Sequence, residues 1–181
     1  MIEITTISAI VAGVVSFIVV RKLFSLDPTN LTEFKSKKGK YTSLLPPNPQ
    51  ETRQKVNTPE GKMALYITQS KGKFHQFMVA YCDYPQHVVD AGFPEKMLDG
   101  ARDGAVRNVH GELLSETVFD FNGYEGRELH VKVNPKAAMR MRMTLVDRRL
   151  YQWQVICAPG NVWSKKAGEF FEGFTVAGLG S

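Results

Sequence analysis

In the stretch MRMRMTLVDRRLYQWQV, residues 139–155, arginine alternates with methionine, and after a turn aromatics alternate with glutamine. A row of guanidiniums at strand spacing supports three kinds of chemistry. It can grip the phosphates of a nucleic acid, pair with the carboxylates of an acidic partner, or simply solvate the wet face of a sheet whose other face is dry. The register of the hairpin discriminates between them. With a two-residue loop, Asp147-Arg148, Arg142 would oppose Trp153 and Met141 would oppose Gln154, and both faces would mix apolar with polar side chains. A three-residue loop, residues 147–149, instead pairs Leu145 with Tyr151, Met143 with Trp153, Met141 with Val155 and Met139 with Cys157, and sets Thr144 against Gln152 and Arg142 against Gln154. Burial of one clean face favours this second register.

The preceding strand fits the same scheme. Leu129, Val131 and Val133 join the methionine face, while Glu128, His130 and Lys132 join the arginine face, with Glu128 diagonal to Arg142. The expected exposed set is therefore Glu128, His130, Lys132, Arg140, Arg142, Gln152 and Gln154. This mixed polar face is either solvated or docked on a protein. A nucleic-acid reader interleaves aromatics with its cations for base stacking; here Tyr151 and Trp153 fall on the other face, so no nucleic-acid partner is expected.

Other chemistry is sparse. His75, His87, His110 and His130 sit on four different elements, never at the spacing of a metal-binding helix. Phosphate-binding glycine loops and nucleophile elbows do not occur. The run Asp99 to Gly104, DGARDG, lacks the alternating oxygen ligands and final Glu of a calcium loop, and Gly100 with Gly104 instead permits a helix to approach a sheet closely. Cys82 and Cys157 are far apart in apolar runs, which predicts two buried free thiols. The expectation is a protein without catalytic residues, metal or cofactor.

The elements that position these residues are legible from periodicity. Tyr41 onward gives a short strand stopped by Pro46 and Pro47, then strand material at Gln54–Val56 and Met63–Thr68, with a turn at Ser70–Lys73. The run FHQFMVAYCDY is apolar on both faces, the mark of a strand covered on both sides. Pro94 to Val109 is helical, with Phe93, Met97, Ala101 and Ala105 in one stripe and Leu98 and Val109 beside it. Four strands follow: Glu112–Phe121, Tyr124–Val133, Met139–Val146 and Leu150–Cys157. A helix from Val162 to about Glu172, with Trp163, Ala167, Phe170 and Phe171 inward, precedes a short last strand at Gly173–Val176.

The chain has 181 residues, 43% of them hydrophobic, with a formal charge of +5, enough for one domain and a small addition. The addition is at the front. Ile4 to Val20 carries no charge, and with Arg21 and Lys22 snorkelling the apolar stretch reaches Phe24, long enough to span a bilayer. Residues 1–24 are expected to be a retained single-pass anchor rather than a cleaved signal peptide, which would want a basic start and a small-residue cleavage site. Ser8, Ala12 and Ser16 share a face, with Ala9 and Gly13 beside them, a small-residue stripe suited to packing on partner helices. Residues 25–40 read as a basic linker. Arg21, Lys22, Lys35, Lys37, Lys38 and Lys40 are candidates to contact lipid headgroups or an acidic neighbour. Their position after the anchor predicts a cytoplasmic domain, residues 41–181, on a bacterial inner (cell) membrane.

The order GKYTSLLPPNP, hairpin, helix, GYEGREL, a strand pair ending VDRRLYQWQV, and a final AGEFFEGFTV resembles the PsbP-like/DcrB-like α/β superfamily, including membrane-anchored bacterial proteins with that domain. The resemblance covers roughly Tyr41 to Val176. It implies an α+β fold, an antiparallel sheet flanked by helices, here preceded by one transmembrane helix. It also implies a non-catalytic role, stabilising or assembling a larger complex, as PsbP does for a photosystem, with integral membrane subunits and lipid as partners. PsbP and DcrB act outside the cytoplasm, which makes a periplasmic domain the alternative location. The alternative function is a membrane-tethered domain that binds a small molecule or lipid.

Overall fold

The structure, a computed structural model, describes residues 30–58, 61–72 and 75–179. The expected anchor, with Ser8, Ala9, Ala12, Gly13, Ser16, Arg21 and Lys22, lies outside the described residues. Among those described, no helix is long and apolar enough to cross a membrane.

The central layer is an antiparallel sheet of seven strands. In chain order these are β3 (Gln50–Thr58), β4 (Gly61–Lys71), β5 (His75–Asp83), β6 (Glu112–Phe121), β7 (Tyr124–Asn134), β8 (Ala137–Val146) and β9 (Arg149–Cys157). Across the sheet they run β3-β4-β5-β9-β8-β7-β6. Strand β5, buried from Gln76 to Cys82, sits inside it as its two-sided apolar pattern predicts. A second sheet is built from β1 (Thr32–Ser36), β2 (Tyr41–Leu45) and β10 (Thr175–Val176), with β2 in the middle.

Helices α1 (Gln86–Ala91) and α2 (Pro94–Asn108) cover one face of the large sheet. On that face Met97, Leu98, Ala101 and Ala105 of α2 meet Leu129, Val131 and the methionines of β8. Gly100 and Gly104 are both buried, so the paired glycines do bring the helix close. Phe93, expected in the inward stripe, is instead 60% exposed, because it precedes the helix and has left its periodicity. The small sheet covers the other face together with a 3₁₀ turn, Pro159–Asn161, and helix α3 (Lys165–Glu172). There Tyr41 meets Tyr81, Tyr151 and Phe174, and Trp153 stacks on Phe174 at 4.3 Å. Helix α3 starts later than expected, because Ser164 caps it by accepting from the Ala167 amide, and the residues before it form the 3₁₀ turn.

Three expectations are corrected. The linker of residues 25–40 is in part folded: Thr32 to Ser36 pair residue by residue with Tyr41 to Leu45. Residues 32–36, expected to be linker, therefore belong to the folded domain. Helix α1 was not foreseen, because six residues after a proline carry too little periodicity to show. The third correction is the hairpin register. Leu145 opposes Leu150, Met143 opposes Gln152, Arg142 opposes Trp153 and Arg140 opposes Val155, with Asp147-Arg148 as the two-residue loop. Asp147 takes a left-handed φ of 54°, which aspartate tolerates and a tight hairpin turn demands. Burial selects the longer loop only where one face of the hairpin is wet. Both faces are covered, so each can bury a mixture provided that its polar groups find partners.

Candidate functional site

The register sorts the expected docking face into two layers. Glu128 opposes Arg142 and His130 opposes Arg140 across β7 and β8, so these four do share a face, with Lys132 at its margin beside Ala138. Gln152 and Gln154 lie on the opposite face among the methionines, each only 2% exposed. They are core residues and are absent from any surface.

The arginine face is not open either. Arg140 is 7% exposed, its guanidinium held between the Trp163 and Phe171 rings at 4.3 Å from each centroid. Its Nη2 donates to Glu128 Oε2 at 2.8 Å, and Arg142 Nε donates to the same oxygen. Arg142 Nη1 reaches Glu172 at 3.0 Å. Burial alone would raise the Glu128 pKa, but the two guanidiniums outweigh it and hold the carboxyl below its usual range. Two cations meet two anions, and the cluster is neutral, although the buried Arg140 Nε lacks a hydrogen-bond partner among the described residues. Trp163 was expected to point inward. It is 55% exposed, because it lies across Arg140 as a cover while its edge meets His130. Lys132 pairs with Glu112 at 3.5 Å.

The far side of the sheet holds a second charge network that the sequence reading missed. Arg102 of α2 reaches Asp99, Asp103 and Glu116, while Arg127 reaches Glu116 and Glu125. The Asp99–Arg102 spacing of three was a visible helical signal. The strand partners depended on a register that periodicity alone does not give.

Two lysines of the former linker have partners among the described residues. Lys35 pairs with Glu33 at 3.0 Å, and Lys38 Nζ lies 4.2 Å from the centre of the Tyr66 ring. The turn that carries them is clamped from the large sheet. Arg149 Nη1 donates to the carbonyls of Lys38 and Gly39, both at 3.1 Å, and Tyr151 Oη donates to the Gly39 carbonyl at 2.8 Å. The remaining guanidinium edge grips Asp83, with Nε to Oδ1 at 2.6 Å and Nη2 to Oδ2 at 2.8 Å. Hydrogen bonding from Arg149 holds the Asp83 carboxyl below its ordinary range.

Beside this clamp a cleft of about 470 Å³ opens between the β1–β2 turn, the β8–β9 loop and the residues after β10. Val146, Val176 and Leu179 supply apolar wall, and Lys40, Asp83, Asp147, Arg148 and Arg149 supply charge. A volume of this size accommodates a small ligand.

Groups that could carry covalent or metal chemistry are scattered. His75 stacks on Phe77 and shares a hydrogen bond with Ser164 at 3.1 Å. Among the described residues no three His, Cys, Asp or Glu side chains gather as metal ligands. Cys82 and Cys157 are buried free thiols, as expected. Burial pushes both pKa values up, that of Cys157 to about 12, which makes them poor nucleophiles.

Neither a protein-family model nor a curated protein matches the chain. Solved structures do. The solution structure of cyanobacterial PsbP (CyanoP) from Synechocystis sp. PCC 6803 superposes with a TM-score of 0.56 at 15% identity, covering 81% of this chain and 92% of that one. PA94 from Pseudomonas aeruginosa, a protein of unknown function, superposes more loosely, with a TM-score of 0.37 at 10% identity over 77% of this chain and 90% of its own. The fold is PsbP-like: a mostly antiparallel sheet with a few helices.

Proposed function

We propose that the chain is a non-catalytic accessory subunit that stabilises or assembles a protein complex of a bacterial inner membrane, with a photosystem as the first candidate and a respiratory complex as the second. The observation that carries this reading is the PsbP-like fold, matched across most of both chains. The disposition of the charged side chains supports it. The charges of the Glu128 cluster are spent on internal pairs, and the exposed group that covers it, Trp163, is of a type enriched where proteins meet. In this reading residues 4–24 anchor the domain and pack through Ser8, Ala9, Ala12, Gly13 and Ser16 on integral membrane subunits. Arg21 and Lys22 meet lipid headgroups, and the basic flank keeps the domain cytoplasmic. Purification of the full chain in mild detergent, followed by mass spectrometry, tests the reading. Stoichiometric co-elution of integral membrane subunits is expected. Elution of the chain alone from its native membrane, at every detergent tried, would refute an accessory role.

A further inference from the structure

We propose that the cleft between the β1–β2 turn, the β8–β9 loop and the residues after β10 binds a small anion, a carboxylate or phosphate group carried on an apolar body. Its charges can be counted by commitment. Arg149 uses Nε and Nη2 on Asp83 and Nη1 on two backbone carbonyls, so it has little left to offer a ligand. Both Asp83 oxygens are taken in return. Asp147 accepts from the Tyr124 hydroxyl at 3.1 Å. Lys40 and Arg148 belong to none of the ion pairs found among the described residues, and both line the cleft. Three cations and two anions leave one positive charge in excess; Lys40 and Arg148 feel the Asp83 carboxylate but form no ion pair with it.

The walls are fixed before any ligand arrives. Lys40 sits at a left-handed φ of 54°, and its carbonyl accepts from the Ala177 amide at 2.8 Å, which ties the turn to the segment after β10. The Leu179 amide donates back to Val176, and the Arg149 clamp holds the turn from the other side. A preformed concavity with an apolar wall and two cations outside any ion pair in its lining selects a ligand with both characters, rather than a bare ion or a neutral apolar molecule. An anionic lipid headgroup and a free organic acid share this chemistry.

The test uses the full isotope-labelled chain in detergent micelles, followed by the backbone amide signals of residues 147–149 and 176–178. Phenyl phosphate is expected to shift them saturably, inorganic phosphate less strongly, and benzyl alcohol not at all. Lys40→Asn, which keeps a residue tolerant of positive φ, and Arg148→Gln are each expected to weaken phenyl phosphate about tenfold, the effect of one charge-assisted hydrogen bond. Asp147→Asn should tighten it. Competition by nanodiscs containing phosphatidylglycerol, but not phosphatidylcholine, identifies a lipid headgroup as the source; lack of competition identifies a free anion. Shifts that persist in the Lys40→Asn, Arg148→Gln double variant, or that spread over the amides of Lys35, Lys37 and Lys62, would show general attraction to a basic chain and overturn the proposal. Absence of a saturable shift in the wild type would do so as well. An accessory role would survive either result, because it is read from co-elution.

Discussion

Arg149 and Asp83 form a parallel pair of hydrogen bonds, at 2.6 and 2.8 Å, across the β5–β9 ladder, where the two residues stand directly opposite each other. The same guanidinium reaches the β1–β2 turn. One side chain therefore couples the two sheets. Asp83→Asn is expected to cost about 1.5–3 kcal/mol, the range for hydrogen bonds to charged groups, toward its lower end because the pair is partly exposed. Arg149→Ala should cost more, since it also releases the turn. Urea denaturation of both variants measures this, and equal stability to the wild type would show the clamp to be idle.

The same pair sets a pH dependence. The folded carboxyl of Asp83 titrates below its unfolded range, as does that of Glu128. A depressed folded pKa contributes stability that is complete above the unfolded value, near 4, and disappears as pH falls through the folded one. The penalty of Asp83→Asn should thus be constant from about pH 7 to 5 and shrink only below about pH 4. A penalty that already shrinks between pH 7 and 5 would mean that Asp83 is not held by Arg149.

The two-sided burial of β8 makes both alternating rows sensitive. Met143→Lys places an unpaired charge under α2 and should unfold the domain. Arg142→Gln should be milder, at about 1–3 kcal/mol, because Glu128 keeps Arg140. A neutral result for Arg142→Gln would restore the open polar face expected from sequence.

Gly126 opposes Phe119 on β6, and the ring lies over the glycine. A Cβ added at Gly126 would collide with that ring, whose neighbours are Trp153 and Arg142. Gly126→Val should therefore lower stability by about 1–3 kcal/mol through overpacking. Thermal melting measures it, and partial recovery in a Gly126→Val, Phe119→Ala double variant would assign the cost to the contact.

In the accessory-subunit reading, Gly13→Leu or Ala12→Leu should leave membrane insertion intact but reduce co-elution of partner subunits, because a larger side chain holds a neighbouring helix away. Quantitative mass spectrometry of the eluates is the check. Unchanged partner yield in both variants would reduce the segment to a tether.

Much of the fold was legible because burial leaves a periodic mark. β5 shows apolar side chains on both faces, α2 shows Met97, Ala101 and Ala105 at helical spacing, and β6 to β9 fall close to their expected limits. What escaped lacked such a mark. β1 reads TEFKS, a polar edge strand whose pairing comes from the backbone. The hairpin register was misread because alternation reports which residues share a face, but not whether that face is wet. Arg140 looked exposed by residue type, and only the aromatic rings of Trp163 and Phe171, distant in sequence, bury it. The cleft was illegible for the same reason: Lys40, Arg148 and Val176 meet only after both sheets are assembled.

Strand β1 also gives the domain two poles. The chain enters beside Leu45, at the Thr32 end of β1, whereas the Lys37–Lys40 turn lies past Ser36 at the other end. Five strand residues separate the two by about 17 Å. The cleft is built on that turn, at the end of β1 away from Thr32. A tether attached upstream of Thr32 and an occupant of the cleft would therefore act on opposite ends of the same strand.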